Sequence, residues 1–134
     1  MKIKNILVYL EPHSLVEPIS QFTLTLATFY QARLFALSVV KRPSLAIKSR
    51  TDENAWRRLY EIEEDAFQAD IKISLLLEEI EQVNRHQTTQ KIISIIKSFN
   101  IDMLVLYNNA KINIKDLVSG TQIPVIVYPL EIKE

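Results

Sequence analysis

A single glycine, Gly120, among 134 residues is the scarcest resource of this sequence. Loops that wrap phosphate groups need side-chain-free backbone that tolerates positive φ and close approach, so this economy argues against a phosphate-cradling loop. Cysteine is absent, which excludes disulfides, thiolate metal sites and a cysteine nucleophile, and fits a reducing, cytoplasmic setting. The two histidines, His13 and His86, do not stand at a spacing that places two ligands on one face, so no metal is expected. No stretch approaches the roughly 20 apolar residues needed to cross a bilayer, and the short apolar run behind Lys2 and Lys4 does not read as a signal peptide. Charge of one sign is missing too: 16 basic residues balance 16 acidic ones, so neither nucleic acid nor an anionic membrane is an expected partner.

What is present suits one soluble domain spanning residues 1–134. The chain is 48% hydrophobic and 24% charged, enough to build a real core at a length typical of single domains. Ile6 to Leu10 is a short apolar run closed by Glu11 and Pro12, as expected of a parallel strand covered on both faces. Ile19, Phe22, Leu26 and Phe29 or Tyr30 then follow helical spacing. That helix starts either at a capping box of Ser14 with Glu17, which puts Pro18 inside the first turn, or with Pro18 as its first residue. Leu34 to Val40 reads as the second strand, Ser44 to Asp52 as a mobile connection, and Asn54 onward as a helix with Ala55, Leu59, Ile62, Ala66 and Ala69 on one stripe.

Ile71, Ile73, Leu75 and Leu77 predict a strand with one partly wet face, while Glu78 to Gln87 fits strand, coil or helical turn. Thr88 is the expected N-cap of a third helix that ends near Asn100. Met103 to Leu106 forms a fourth strand, Ile112 to Val118 a short helix terminated by Gly120, and Val125 to Tyr128 a fifth strand between prolines. Strands alternating with helices imply an α/β fold, a single three-layer α/β/α domain around a five-stranded, mainly parallel sheet.

Lys4-Asn5-Ile6-Leu7-Val8, Leu37-Ser38-Val39-Val40, Ile101-Asp102-Met103-Leu104-Val105-Leu106 and Ile123-Pro124-Val125-Ile126-Val127 together resemble the opening and closing strands of universal stress proteins. The resemblance implies the nucleotide-binding α/β fold of that family, grouped with the adenine nucleotide alpha hydrolase-like proteins. ATP-binding members carry an aspartate after strand one and the pattern G-x2-G-x9-G-[ST] after strand four. Here Glu11 stands at the first place, Tyr107 and Ala110 at the two leading glycines, and Lys111 and Ile112 near the last pair, with the nine-residue spacer deleted. By this resemblance no cofactor is expected, ATP in particular.

Ligands of doubly wound sheets sit beyond the strand ends where strand order reverses. Glu11, His13, Ser14, Val39, Tyr107, Asn108 and Asn109 are therefore the candidate ligand-binding residues, and a small polar ligand is the class their chemistry admits. The plainer reading of the same residues is that Ser14, Asn108 and Asn109 cap turns and helices, Glu11 and His13 are solvated, and Tyr107 packs. Ser14 beside His13 lacks a strained elbow and a third partner, so no catalytic residue is expected. A phosphoacceptor receiver domain shares the element order, but Glu11-Pro12, Glu78-Glu79 and Tyr128-Pro129 stand where its aspartates and lysine belong, and the sequence stops at Glu134 before a fifth helix.

Strand five should form a sheet edge, and such edges invite a second copy. Resemblance to a family that dimerises there makes Pro124, Val125, Ile126, Val127, Tyr128, Pro129 and Leu130 the expected homodimer interface. The alternative is a monomer whose edge is guarded by Pro124, Pro129 and Lys133. The expected function is that of a non-enzymatic regulatory or interaction protein of universal stress protein type, acting through its dimer surface and a small-ligand crevice without ATP, with a protein partner that the sequence does not identify. The alternative is a nucleotide-binding stress-response protein using a rearranged loop after strand four.

Overall fold

The computed structural model describes residues 2–42 and 50–130. Five strands alternate with four helices: β1 (Asn5–Tyr9), α1 (Glu17–Tyr30), β2 (Arg33–Lys41), α2 (Arg50–Gln68), β3 (Ile73–Ile80), α3 (Arg85–Ser98), β4 (Met103–Tyr107), α4 (Ile114–Thr121) and β5 (Val125–Tyr128). The strands form one sheet in the order β3-β2-β1-β4-β5, and every pair is parallel. Leu7 pairs with Phe35 on one side and Leu104 on the other, and Leu104 continues to Val125.

Alternation along the strands sends side chains to two separate cores. Ile6, Val8 and Leu10 join Met103, Val105 and Tyr107 beneath α1 and α2, where Ile19, Leu59 and Ile62 complete the packing. Leu7 and Tyr9 join Leu104 and Leu106 on the other face, against Ile92, Ile96 and Leu117 of α3 and α4. This is the three-layer arrangement that the continuous apolar strands require, because a strand between two helix layers has no wet face. Complete burial of side chains such as Ile19, Leu59, Ile92 and Leu117 stabilises the fold by about 1.5–3 kcal/mol each.

Several local expectations are overturned by specific hydrogen bonds. Ser14 does not cap α1: Val16 holds the N-cap position without a side-chain bond, and the Ser14 hydroxyl instead accepts from the Glu11 N–H at 3.0 Å. Thr88 does not cap α3, which begins at Arg85 under Asn84, whose side-chain oxygen accepts from the Gln87 N–H at 2.8 Å. The ambiguous Glu78 to Gln87 segment divides between the end of β3 and the start of α3. Helix α2 starts at Arg50, inside the connection expected to be mobile; residues 43–49 of that connection lie outside the described residues.

Gly120 is likewise not a terminator. It lies within α4, where an added Cβ would stand 3.2 Å from Ile93 Cδ1, so it serves close packing of α4 on α3. The left-handed positions after the four helices fall instead to Gln31, Asp70, Asn100 and Gln122, with φ between 53° and 58°. A Cβ at such positions is a steric cost that glycine avoids. Gln31→Gly is therefore expected to raise unfolding stability by about 0.5 kcal/mol, read as a higher denaturant midpoint; an unchanged or lower midpoint would show that the Gln31 side chain compensates the strain.

Candidate functional site

Strand order reverses between β1 and β4, so the place to look is the carboxyl end of these two neighbours, flanked by the starts of α1 and α4. A helix start offers unpaired N–H groups and a positive dipole end, the two features an anion uses. What decides the site's capacity is whether those donors are free.

At α1 two of the first four are not free. Pro18, within the first turn, has no N–H. The N–H of Ile19 donates to the hydroxyl of Tyr107 at 3.3 Å, and that hydroxyl donates in turn to the carbonyl of Leu15 at 2.5 Å. The Tyr107 ring lies under α1 with 3% of its surface exposed, edge-on to Tyr128 at 6.0 Å between ring centres. Burial pushes the Tyr107 phenol above its ordinary pKa, Tyr128 adds to this, and the hydrogen bond with the Ile19 backbone opposes it. The phenol is thus held neutral as both donor and acceptor, acting as a cap delivered to α1 from the end of β4.

The start of α4 is occupied by its own neighbours. Asn113 caps it, accepting from the Asp116 N–H at 3.3 Å, while its own N–H donates to the Thr89 hydroxyl at 2.9 Å. Arg85 donates to the Ile112 carbonyl at 3.3 Å. Glu17 and Asp116 put a carboxylate in the first turn of each helix, which favours the dipole and disfavours a second anion. Asn113 and Asp116 escaped the sequence reading, although an asparagine three residues before an acidic residue is an N-cap signal.

The loops between strands and helices close toward each other. Glu11 lies half-buried after β1, its Oε2 3.5 Å from the Lys111 N–H across the crevice. Glu11 also acts on Tyr9, whose phenol is raised first by burial and then by this charge. The Asn108 side chain accepts from the Leu130 N–H at 3.1 Å, and its backbone N–H donates to the Tyr128 carbonyl at 3.0 Å, so it fastens the exit of β5. His13 and Asn109 are exposed.

The structure therefore brings Glu11, Ser14, Tyr107 and Asn108 to one end of the sheet as local fasteners. It does not bring Val39 to Tyr107: Val39 is buried in the α3/α4 layer and Tyr107 in the α1/α2 layer. Among the described residues, no group of three or more His, Asp or Glu side chains is placed to hold a metal, and no helix is long and apolar enough to cross a membrane.

No protein-family model and no curated protein sequence matches the chain. Solved structures do. A universal stress protein family member from Burkholderia pseudomallei superposes with a TM-score of 0.75 at 17% identity, covering 96% of this chain and 98% of that one. The universal stress protein from Archaeoglobus fulgidus in complex with dAMP gives 0.71 at 14% identity, covering 95% and 98%. A universal stress protein family member from Arabidopsis thaliana with AMP bound gives 0.70 at 10% identity, covering 96% and 92%. With nearly the whole of each chain superposed, the chain has the universal stress protein fold.

Proposed function

We propose that this protein is a non-enzymatic regulatory or interaction module on the universal stress protein fold, and that its strand-end crevice does not hold ATP. The observation that carries this reading is the Tyr107 hydroxyl between Leu15 and Ile19. It takes a donor that a phosphate at α1 would use, and the buried ring fills the ground beneath it. The self-capped start of α4 and the carboxylates Glu11, Glu17 and Asp116 support the same conclusion by charge.

A second reading has support of its own. The dAMP and AMP bound to two of the structural neighbours favour a nucleotide-binding role through the short loop Asn108 to Lys111. Calorimetric titration of ATP and of AMP separates the two: the closed crevice predicts no heat of binding with ligand up to about millimolar, and a micromolar Kd for either nucleotide would overturn it.

Assembly follows from β5. It pairs with β4 alone, Val127 is 38% exposed, and Pro124 and Pro129 bracket rather than interrupt the four-residue strand. A second copy pairing here forms a homodimer over residues 124–130. Sedimentation should show a dimer at micromolar concentrations that Val127→Lys converts to monomer; a wild-type monomer at about 100 µM would contradict the interface.

A further inference from the structure

The opposite edge of the sheet has no such brackets. β3 is eight residues long, pairs with β2 alone among the described residues, and its stretch Ser74 to Leu77 contains neither charge nor proline, the usual guards of a free edge. Helix α2 buries Ala55, Leu59, Ile62 and Ala66 and turns a second stripe, Trp56, Tyr60 and Phe67, along its flank. Tyr60 is 56% and Phe67 84% exposed. Between this stripe and the start of β3 lies a groove of about 570 Å3 lined by Tyr60, Glu63, Glu64, Phe67, Ile71 and Ile73.

Charge selects the occupant. Neither Glu63 nor Glu64 has a salt-bridge partner among the described residues, and the strand ends in two further acids, Glu78 and Glu79. The β3 strand of a second copy carries the acids Glu78 and Glu79 and no basic residue between Ile73 and Ile80, so it brings no cation to Glu63 and Glu64 on α2. A segment that carries both apolar and basic residues on the face it turns to α2 meets these requirements: its backbone completes the β3 ladder, its apolar side chains enter the groove and its cations face Glu63 and Glu64.

We infer that the β3 edge and the aromatic flank of α2 form a docking site for an extended, basic and apolar segment of another protein. The site deepens the interaction role above and rests on it, but its failure would leave both the closed crevice and the β5 dimer standing. Trp56, the sole tryptophan, reports on the groove because it stacks on Tyr60 with 5.6 Å between ring centres.

The test titrates the intact protein with two synthetic peptides of roughly eight residues, a Val-Val-Lys-Lys repeat and a Val-Val-Glu-Glu repeat, in which each face of an extended strand carries both residue types, and reads Trp56 fluorescence. The lysine peptide should bind with a micromolar Kd, weakened about tenfold or more by Glu63→Lys with Glu64→Lys and also by Phe67→Ala, while the glutamate peptide does not bind. Phe67 is mostly solvent-exposed, so its alanine variant is expected to fold, which circular dichroism verifies. Equal binding of both peptides, or lysine-peptide binding indifferent to Phe67→Ala, would overturn the site in favour of nonspecific attraction. Self-association of the wild-type protein abolished by Phe67→Ala would overturn it in favour of a second copy.

Discussion

The hydroxyl of Tyr107 is the fastening on which the carboxyl end of β4 and the start of α1 depend. It joins the last residue of β4 to the first turn of α1, accepting from Ile19 and donating to Leu15. Leaving those two backbone groups unpaired in the interior would cost on the order of 1–3 kcal/mol. On the proposed reading, the same contact also takes up the Ile19 donor that an anion at α1 would use, so one side chain would serve both stability and closure.

Glycine scarcity extends through the chain. Gln31, Asp70, Asn100 and Gln122 all adopt the left-handed conformation usually assigned to glycine, and the only glycine sits inside α4, where what matters is its lack of volume beside Ile93. Inferring a terminator at Gly120 failed because packing of α4 on α3, a contact between elements distant in sequence, set the requirement there. The same lesson applies at Ser14 and Thr88. Both carry the right chemistry for a cap, yet α1 receives its hydrogen bond from residue 107 and α3 starts earlier, under Asn84.

The architecture itself was legible because strands covered on both faces leave a signal that survives without context. Val125 to Tyr128 is found with the bounds read from the sequence, and the alternating order of elements yields the three layers directly. Glu78 to Ile80 was harder, since pairing with Val39 to Lys41 on β2 draws acidic residues into a strand that propensity alone would not extend. Topology led to the strand ends of β1 and β4, but it did not give the direction of each side chain. Odd and even residues of a strand enter different layers, which separates Val39 from Tyr107. The sheet also has two dissimilar edges: β5 is short and bounded by prolines, β3 long, half-buried and flanked by acids and aromatics. On the proposals above, one edge serves self-association and the other a partner.

The closure of the crevice is tested most directly by a crystal structure of the protein grown in excess AMP. The account predicts the Tyr107 hydroxyl within hydrogen-bonding distance of both the Leu15 carbonyl and the Ile19 N–H, with no nucleotide beside it. A phosphate bound to the Ile19 N–H, with the Tyr107 ring swung out from beneath α1, would contradict it.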